Sequence, residues 1–302
     1  MGFASLTRAR RQALWAWAFL AVPLMFFAVV RFWPAVDAMM LSVSRWNLVG
    51  PRQFVGLANY ERMAGDPVFW QVLGNTFEYL LLGLPVSLVL AFVIAFYLDR
   101  VEYGQGLLRA LYFLPHLTTA TAMAWVWRWF YQPPPVGLFN AWLGALGFGA
   151  QPFLRSTTQA LPAVLVAAIW AALGFQVVIF MAGLKAIPRS YYEAAAIDGA
   201  GFWQILREIT LPLLAPSVVF LLITTSIGLL RIFDLVYNIT AGGEGGPLNA
   251  TKPLVLSIYQ SAFARMDMGY ASAQTVVLFV ILLALSLLQM RLLRGRDEGG
   301  RG

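Results

Sequence analysis

The stretch ALPAVLVAAIWAALGFQVVIFMAGL, residues 160–184, contains 25 consecutive residues without Asp, Glu, Lys, Arg or His. A helix rises about 1.5 Å per residue, so about 20 apolar residues cross the roughly 30 Å hydrocarbon core of a membrane. The stretch therefore predicts a membrane-spanning helix. The whole chain has a matching composition: of its 302 residues 60% are hydrophobic and only 12% are charged, whereas a soluble protein carries roughly a quarter charged residues.

Five further stretches are also long and apolar. They cover residues 13–30, 79–98, 110–127, 209–230 and 271–290, and only 110–127 is interrupted, by His116. The sequence therefore predicts an all-α membrane protein with six transmembrane helices. Residues 1–12 would be an N-terminal tail, 13–290 a six-span domain with its core at about 70–290, and 291–302 a C-terminal tail. Small residues that permit close contacts between such helices recur in these spans, for example Gly83, Ala91, Ala167, Ala168 and Gly174.

The distribution of basic residues predicts the orientation. With six spans, both tails share one side of the membrane with the loops 99–109 and 185–208. Together these 59 residues carry 12 of the 21 Lys and Arg residues, and the 120 residues of the opposite side carry nine. Basic residues are concentrated in cytoplasmic loops, so both termini are predicted to be cytoplasmic. The same distribution explains the net charge of +7 without a compact basic surface for nucleic acid.

The loop that follows residues 160–184 is unusually patterned, with the sequence EAAAIDGAGFWQILREITLPLLAP at 193–216. Its first part, from Tyr191, favours a helix with Glu193 in the opening turn, where a carboxylate suits the helix dipole. Gly199 and Gly201 then interrupt that helix. We expect a tight bend at these glycines, within a cytoplasmic loop at 185–212.

The second part of this loop has an amphipathic pattern. Its apolar residues recur at helical spacing, at Phe202, Ile205, Leu206 and Ile209, and Pro212 is expected to begin the next span. One interpretation is an interfacial helix that merely connects two spans. The other is a docking segment, because small residues let a second surface approach and Gly199 permits a turn that larger residues resist.

Polar and aromatic residues within the fourth and fifth predicted spans are candidates for a transport pathway. They are Trp170, Phe175, Gln176 and Thr225, with Arg231 and Asp234 at the outer end of the fifth span. Gln176 could instead be satisfied by a neighbouring helix. Arg231 and Asp234 are three residues apart, on neighbouring helix positions, and could form an internal ion pair. The lone His116, beside Pro115, is interpreted as a helix-packing residue.

Two separated motifs resemble the permease subunits of ABC importers. The first is the EAA loop of these permeases, matched at Glu193, Ala194, Ala195, Asp198, Gly199, Ala200, Ile209, Leu211 and Pro212. The second, FDLVYNITAGGEGGP at 233–247 followed by IYQSAFARMDMGYASA at 258–273, resembles the maltose-permease-like subunit of carbohydrate importers. The likeness extends from about residue 55 onward. The chain departs from the pattern by inserting Glu244 into the glycine run, and it lacks the large external domain and extra N-terminal spans of enterobacterial maltose permease.

The resemblance implies the transmembrane domain of a type I ABC importer, a non-catalytic subunit in a bacterial or archaeal plasma (inner) membrane. The matched residues of the EAA loop would then form a cytoplasmic coupling helix that an ATPase grips. It further implies a second permease subunit, an ATPase dimer that binds ATP and Mg, an extracytoplasmic binding protein, and a sugar held by the fourth and fifth spans. That sugar could be a mono-, di- or oligosaccharide or glycerol 3-phosphate. The chain itself contains no G-x-x-x-x-G-K-[ST] motif, so no cofactor is expected in it.

Two other function classes fit the sequence less well. An intramembrane enzyme needs a nucleophile with a base, a carboxylate pair or a metal cluster, but the chain has one histidine and no cysteine. An ion-driven secondary transporter would carry acidic residues deep in its spans and paired halves, and neither is found in the sequence. ATP-driven transport is therefore the prediction.

Overall fold

The computed structural model describes residues 7–240 and 243–298, and most of these residues are helical. The α-helices are α1 (Arg8–Phe27), α2 (Trp33–Ser42), α3 (Ala58–Ala64), α4 (Pro67–Leu98), α5 (Gln105–Leu117), α6 (Ala120–Phe130), α7 (Leu138–Ala145), α8 (Ala160–Ala186), α9 (Arg189–Ile197), α10 (Phe202–Ile205), α11 (Leu211–Leu213), α12 (Ala215–Leu230), α13 (Asp234–Ile239), α14 (Leu254–Tyr259) and α15 (Met268–Glu298). Short 3₁₀ turns lie at Phe153–Arg155 and Pro247–Asn249, π-helical turns at Ala28–Phe32, Leu206–Thr210 and Gln260–Ala264, and strands at Ser44–Arg45 (β1) and Gln53–Phe54 (β2). The predicted tails lie partly outside the described residues, at 1–6 and 299–302.

Four helical segments in the described ranges are long and apolar enough to cross a membrane. They are Arg10–Ser42, Pro67–Leu98, Ala160–Ala186 and Met268–Arg291. A fifth is obtained if the bent pair Phe202–Leu213 and Ala215–Leu230 is counted as one span. The prediction of membrane-spanning helices is therefore confirmed for four or five segments.

The span predicted at 110–127 is not one continuous helix, because this stretch forms the end of α5 and most of α6. Thr118 and Thr119 between them have extended backbones, with ψ angles of 140° and 143°. The Thr119 hydroxyl accepts a hydrogen bond from the backbone N–H of Ala122 at 3.4 Å, which caps the new helix. Hydropathy alone does not detect such a break, because threonine is uncharged.

The start predicted for the fifth crossing is also wrong. Pro212 does not begin that helix but lies within α11, and the chain bends by 66° before α12. Pro216 is at the first turn of α12. Proline has no N–H to donate and its ring disfavours a continuous helix in the preceding turn, so the break falls at Leu214, two residues before Pro216.

The described residues fall into two compact units. The first contains the chain up to Gly65 together with Ile258–Val277. In it β1 pairs antiparallel with β2, and the amide of Asn59 donates to the carbonyl oxygens of Ser42 and Ser44, both at 2.9 Å. An ion pair of 2.6 Å between Arg62 and Asp267 joins the two parts of the chain within this unit.

The second unit contains Asp66–Ser257 and the rest of α15. Its helices approach closely where side chains are small, as expected for membrane helices. A Cβ atom on Gly83 of α4 would lie 2.8 Å from Leu165 of α8 and 3.1 Å from Leu229 of α12. The predicted close contacts are thus made within this chain at Gly83, and also at Gly174, which adjoins the backbone of Tyr112.

Candidate functional site

A cavity of about 340 Å³ lies among helices α4, α5, α8 and α12 of the second unit. We call it the Gln176 cavity. Its polar and aromatic lining residues are Ser87, His116, Phe175, Gln176, Thr224 and Thr225. Most of the remaining lining is apolar, so the cavity offers a few polar groups in an otherwise hydrophobic wall, as small-molecule sites usually do.

Gln176 is the centre of a hydrogen-bond network that joins three helices. Its side chain is 1% exposed. Its Oε1 accepts from the Ser87 hydroxyl at 2.7 Å, and its Nε2 donates to the Thr225 hydroxyl at 3.1 Å. A glutamine amide has two N–H groups and two acceptor lone pairs, so one donor and one acceptor remain for a further partner.

Phe175 and His116 form a flat aromatic wall of the cavity. Their ring centroids are 5.4 Å apart and the rings are nearly parallel, with an interplanar angle of 21°. The His116 Nδ1 lies 3.4 Å from the carbonyl oxygen of Ala171. Interpreting His116 as a helix-packing residue is consistent with this stack, but the prediction missed that the ring also lines the cavity.

Three of the six pathway candidates are brought together and three are not. Phe175, Gln176 and Thr225 line the cavity. Trp170 packs edge-on against Trp127, with centroids 5.7 Å apart, and lines a different cleft.

Arg231 and Asp234 are not on one helix. Helix α12 ends at Leu230 with Arg231 as its C-cap, and Asp234 begins α13. Both side chains are exposed, and no ion pair joins them among the residues that the structure describes. The prediction of neighbouring helix positions for these two residues is therefore wrong.

Sequence reasoning also missed Ser87, which is 1% exposed and holds the Gln176 amide. A serine in the middle of a span, two residues after Pro85, is the signal that could have identified it, because a hydroxyl at membrane depth needs a partner.

The second candidate site is residues 189–213, which contain the EAA residues and which we call the coupling segment after the role that the sequence predicts for them. Helix α9 ends at Ile197 with Asp198 as its C-cap, and Gly199 follows with φ +72°. The N–H groups of Gly199 and Ala200 donate to the carbonyl oxygens of Ala196 and Ala195, at 3.2 and 2.9 Å. This is a Schellman motif, which needs a left-handed residue at the position of Gly199. The predicted helix, tight bend and second helix are confirmed.

Two details of the coupling segment differ from the prediction. Helix α9 begins at Arg189 rather than Tyr191, so Glu193 lies beyond its first turn. The second helix changes to a π-helical turn at Leu206–Thr210, immediately before α11 with Pro212.

The coupling segment is largely exposed, and few of its side chains contact other helices. The EAA residues Glu193, Ala194, Asp198, Gly199, Leu211 and Pro212 are exposed, Ala200 is half-buried and Ala195 is buried. The Phe202 ring contacts Phe96 at the end of α4, with centroids 5.7 Å apart. Ile197 and Trp203 are 87% and 77% exposed. Two large exposed apolar side chains beside exposed carboxylates are typical of a surface that contacts another protein or a membrane.

No group of three or more His, Asp or Glu side chains is arranged to hold a metal ion within residues 7–240 and 243–298. The cavity is lined by neutral polar and aromatic side chains, and the coupling segment exposes charged and apolar side chains.

Comparisons with known proteins identify a transport family. Residues 63–296 match the family described as binding-protein-dependent transport system inner membrane component. The sn-glycerol-3-phosphate transport system permease protein UgpA of Agrobacterium fabrum is 34% identical over 283 residues, which cover 93% of this chain and 95% of the relative. The lactose transport system permease protein LacF of Rhizobium radiobacter is 33% identical over 287 residues, which cover 93% and 94%.

A solved structure has the same fold. It is a bacterial ABC transporter involved in the import of the acidic polysaccharide alginate, and one of its chains superposes with a TM-score of 0.81 over 94% of this chain and 96% of that one. The sequence identity is 21%, so this likeness describes the arrangement of helices.

Proposed function

Because the chain belongs to the family of binding-protein-dependent transport system inner membrane components, we propose that it is a permease subunit of an ATP-driven importer of sugars or sugar derivatives. The observation that carries the proposal is the match to this family over residues 63–296. Relatives named for lactose and for sn-glycerol 3-phosphate support a small, hydroxyl-rich substrate. The family does not favour an intramembrane enzyme or an ion-driven transporter.

The subunit would work in a larger assembly. A family that depends on a binding protein implies an extracytoplasmic protein that delivers the substrate, and ABC importers take their energy from cytoplasmic ATPase subunits that bind ATP and Mg. In this proposal a second permease subunit supplies the other half of the pathway. The chain lacks a phosphate-binding G-x-x-x-x-G-K-[ST] sequence, so it needs such a partner to use ATP.

The proposed topology has six spans with both termini in the cytoplasm. Five would be the apolar helical segments described above, and the sixth would be α5 and α6 together, a broken span around Thr118 and Thr119. Broken helices are tolerated at membrane depth when neighbouring protein covers the freed backbone groups. The concentration of Lys and Arg in the loops 99–109 and 185–208 supports this orientation.

Single cysteines can test the orientation, because the native chain contains none. Ser190 is the second residue of the coupling segment and Thr157 precedes α8, and both are exposed. A membrane-impermeant maleimide should label Thr157→Cys from outside intact cells and Ser190→Cys only after the membrane is opened. The reverse pattern would invert the proposed topology.

Residues 189–213 would receive the movement of the ATPase. This role is supported by the match of the EAA residues, by the exposure of Glu193 and Asp198, and by the exposed side chains of Ile197 and Trp203. The segment continues directly into α12, which contributes Thr225 to the Gln176 cavity. A shift of the segment can therefore be passed to the cavity through one helix.

The Gln176 cavity would form part of the substrate pathway. The stacked Phe175 and His116 rings present an apolar face to a sugar ring, and the amide of Gln176 with the hydroxyl of Thr225 can bond to sugar hydroxyls. Trp170, Arg231 and Asp234 remain proposed pathway residues that lie outside this cavity.

Reconstitution tests the function directly. The chain, a co-encoded second permease and the ATPase would be placed in liposomes with the binding protein, and uptake of radiolabelled lactose and glycerol 3-phosphate measured with ATP on the ATPase side. Uptake of at least one substrate should require ATP hydrolysis and persist when an ionophore removes ion gradients. Uptake driven by an ion gradient without the ATPase would contradict the proposal.

A further inference from the structure

Two cationic side chains share one neutral oxygen at the start of helix α5. The Oε1 of Gln105 accepts hydrogen bonds from the Arg109 guanidinium and from the Lys185 ammonium, the latter at 3.0 Å. The Nε of Arg109 is buried and has no acceptor. Within the described part of the chain, no Asp or Glu forms an ion pair with Arg109 or Lys185. Two like charges are therefore held together without an anion.

An apolar cleft begins one residue before Arg109. It has a volume of about 300 Å³ and lies between α5 and α8. We call it the α5–α8 cleft, and its lining consists of Leu108, Leu111, Tyr112, Pro115, Trp170 and Leu173. Apart from the Tyr112 hydroxyl and the Trp170 indole N–H, these side chains offer no polar group to a ligand.

The cations lie at one end of this cleft. Helices α5 and α8 run antiparallel, because Gln105 contacts Lys185 near the end of α8 while Tyr112 adjoins Gly174. At 1.5 Å per residue, Leu108 and Pro115 are about 10 Å apart along α5. The cleft therefore extends away from the charged end, along helices that are apolar over the same length.

We propose that an anionic phospholipid binds in the α5–α8 cleft, with its phosphate between Arg109 and Lys185 and an acyl chain against Leu111 and Leu173. A phosphate has several acceptor oxygens, so it can bond the Arg109 guanidinium and the Lys185 ammonium at once and neutralise their repulsion. By the proposed orientation this end faces the cytoplasm, and basic pockets between helices on that side bind anionic lipid head groups.

A lipid accounts for both the two cations without an anion and the apolar cleft beside them. Each of the two alternative occupants accounts for only one of these features. A carboxylate of the ATPase would neutralise the cations but leave the apolar cleft empty. A helix of the second permease would fill the cleft but has no need of two unpaired cations. The proposal uses the membrane location of the chain and does not depend on which substrate is transported.

Native mass spectrometry of the delipidated complex tests the proposal with two lipids of identical acyl chains, palmitoyl-oleoyl phosphatidylglycerol and palmitoyl-oleoyl phosphatidylcholine. The native complex should bind one phosphatidylglycerol at least about tenfold more tightly than phosphatidylcholine, as expected for charge-assisted hydrogen bonds. The double variant Arg109→Gln, Lys185→Gln should lose this preference. Arg100→Gln is the control for a general loss of positive charge, because it removes one cation that lies before α5 and stacks on Phe96 instead.

A photoreactive phosphatidylglycerol locates the acyl chain without any substitution. A diazirine in its acyl chain should crosslink to peptides that contain residues 108–115 or 170–173 of the native chain, and Leu111→Trp should reduce this yield by filling the cleft. Equal affinity for the two lipids would overturn the proposal. So would crosslinks confined to other helices, or a double variant that loses the ATPase while binding phosphatidylglycerol normally.

Discussion

The coupling segment and the Gln176 cavity are built in opposite ways. The coupling segment is one continuous stretch, largely exposed, whose shape depends on backbone hydrogen bonds around Gly199. The cavity is assembled from four helices, and its central side chain, Gln176, is buried and hydrogen-bonded across two helix interfaces. This difference predicts that transport should be sensitive to backbone geometry and surface charge in the segment. In the cavity, it should be sensitive to the loss of single buried polar groups.

The largest effect is expected from Gly199→Val. At φ +72° an L-residue is strained by about 1–3 kcal/mol, and a β-branched side chain fits this region worst. The Schellman motif should rearrange and turn α10 away from the ATPase. We expect near-complete loss of substrate-stimulated ATP hydrolysis in reconstituted complexes, with normal membrane insertion.

Two control variants separate backbone strain from contact with the partner. A Cβ on Gly199 or on Gly201 would meet no atom within 4 Å among the described residues other than its neighbours in sequence. Gly201 has an extended backbone, so Gly201→Ala should be nearly neutral in stability. Gly199→Asn tolerates the left-handed conformation; if it also loses ATPase stimulation, the partner surface approaches this residue. Normal uptake by Gly199→Val would indicate that the segment only connects two helices and has no docking role.

A smaller effect is expected from Gln176→Ala. The substitution removes the acceptor of the Ser87 hydroxyl and a donor to Thr225, and an unsatisfied buried group costs about 1–3 kcal/mol. If the remaining amide capacity binds substrate, the initial uptake rate at low substrate should fall by about 5- to 150-fold, while the subunits still co-purify.

Ser87→Ala distinguishes a binding role from a structural one. It breaks the same network but leaves the Gln176 amide and its bond to Thr225 in place. Uptake should therefore suffer less than in Gln176→Ala, although both variants should melt at lower temperature. Equal losses of uptake in the two variants would show that Gln176 only holds helices together.

Sequence patterns revealed the coupling segment more completely than the cavity, for a physical reason. The bend at Gly199 follows from local backbone chemistry, which neighbouring residues determine. The partners of Gln176 depend on how α4, α8 and α12 align with one another, and Ser87 is 89 residues away in sequence. Local patterns contain no information on that alignment.

The same argument explains the errors at the ends of the predicted spans. No proline or glycine follows Gly228 before Asp234, yet α12 ends at Leu230, so tertiary packing rather than local sequence separates Arg231 from Asp234. The threonines at 118 and 119 likewise break a stretch that hydropathy treats as continuous.

A modest effect is expected from Phe175→Ala. Loss of the ring stacked on His116 removes an apolar face for a sugar ring, and an aromatic contact contributes about 0.5–1.5 kcal/mol. The substrate concentration for half-maximal uptake should rise by about two- to twelvefold with little change in maximal rate. Phe175→Trp keeps an aromatic face and should retain most of the affinity; unchanged kinetics for the alanine variant would place the substrate elsewhere.

The smallest effect is expected from Glu193→Lys, which tests the surface character of the coupling segment. The Glu193 carboxylate is exposed, and within the described residues no Lys or Arg pairs with it, so reversing its charge should leave the stability of the chain almost unchanged. An exposed ion pair with the ATPase contributes only about 0.2–1 kcal/mol, which corresponds to a weakening of ATPase affinity by about 1.4- to fivefold. Because exposed charges are screened by salt, the loss should shrink as ionic strength rises, and reversal of a basic ATPase residue that faces Glu193 should restore affinity. A loss of ATPase affinity that is independent of salt and is not restored by any charge reversal would mean that Glu193 acts by shaping α9. The coupling segment would then not act at this residue as an electrostatic surface, in contrast to the buried network of the cavity.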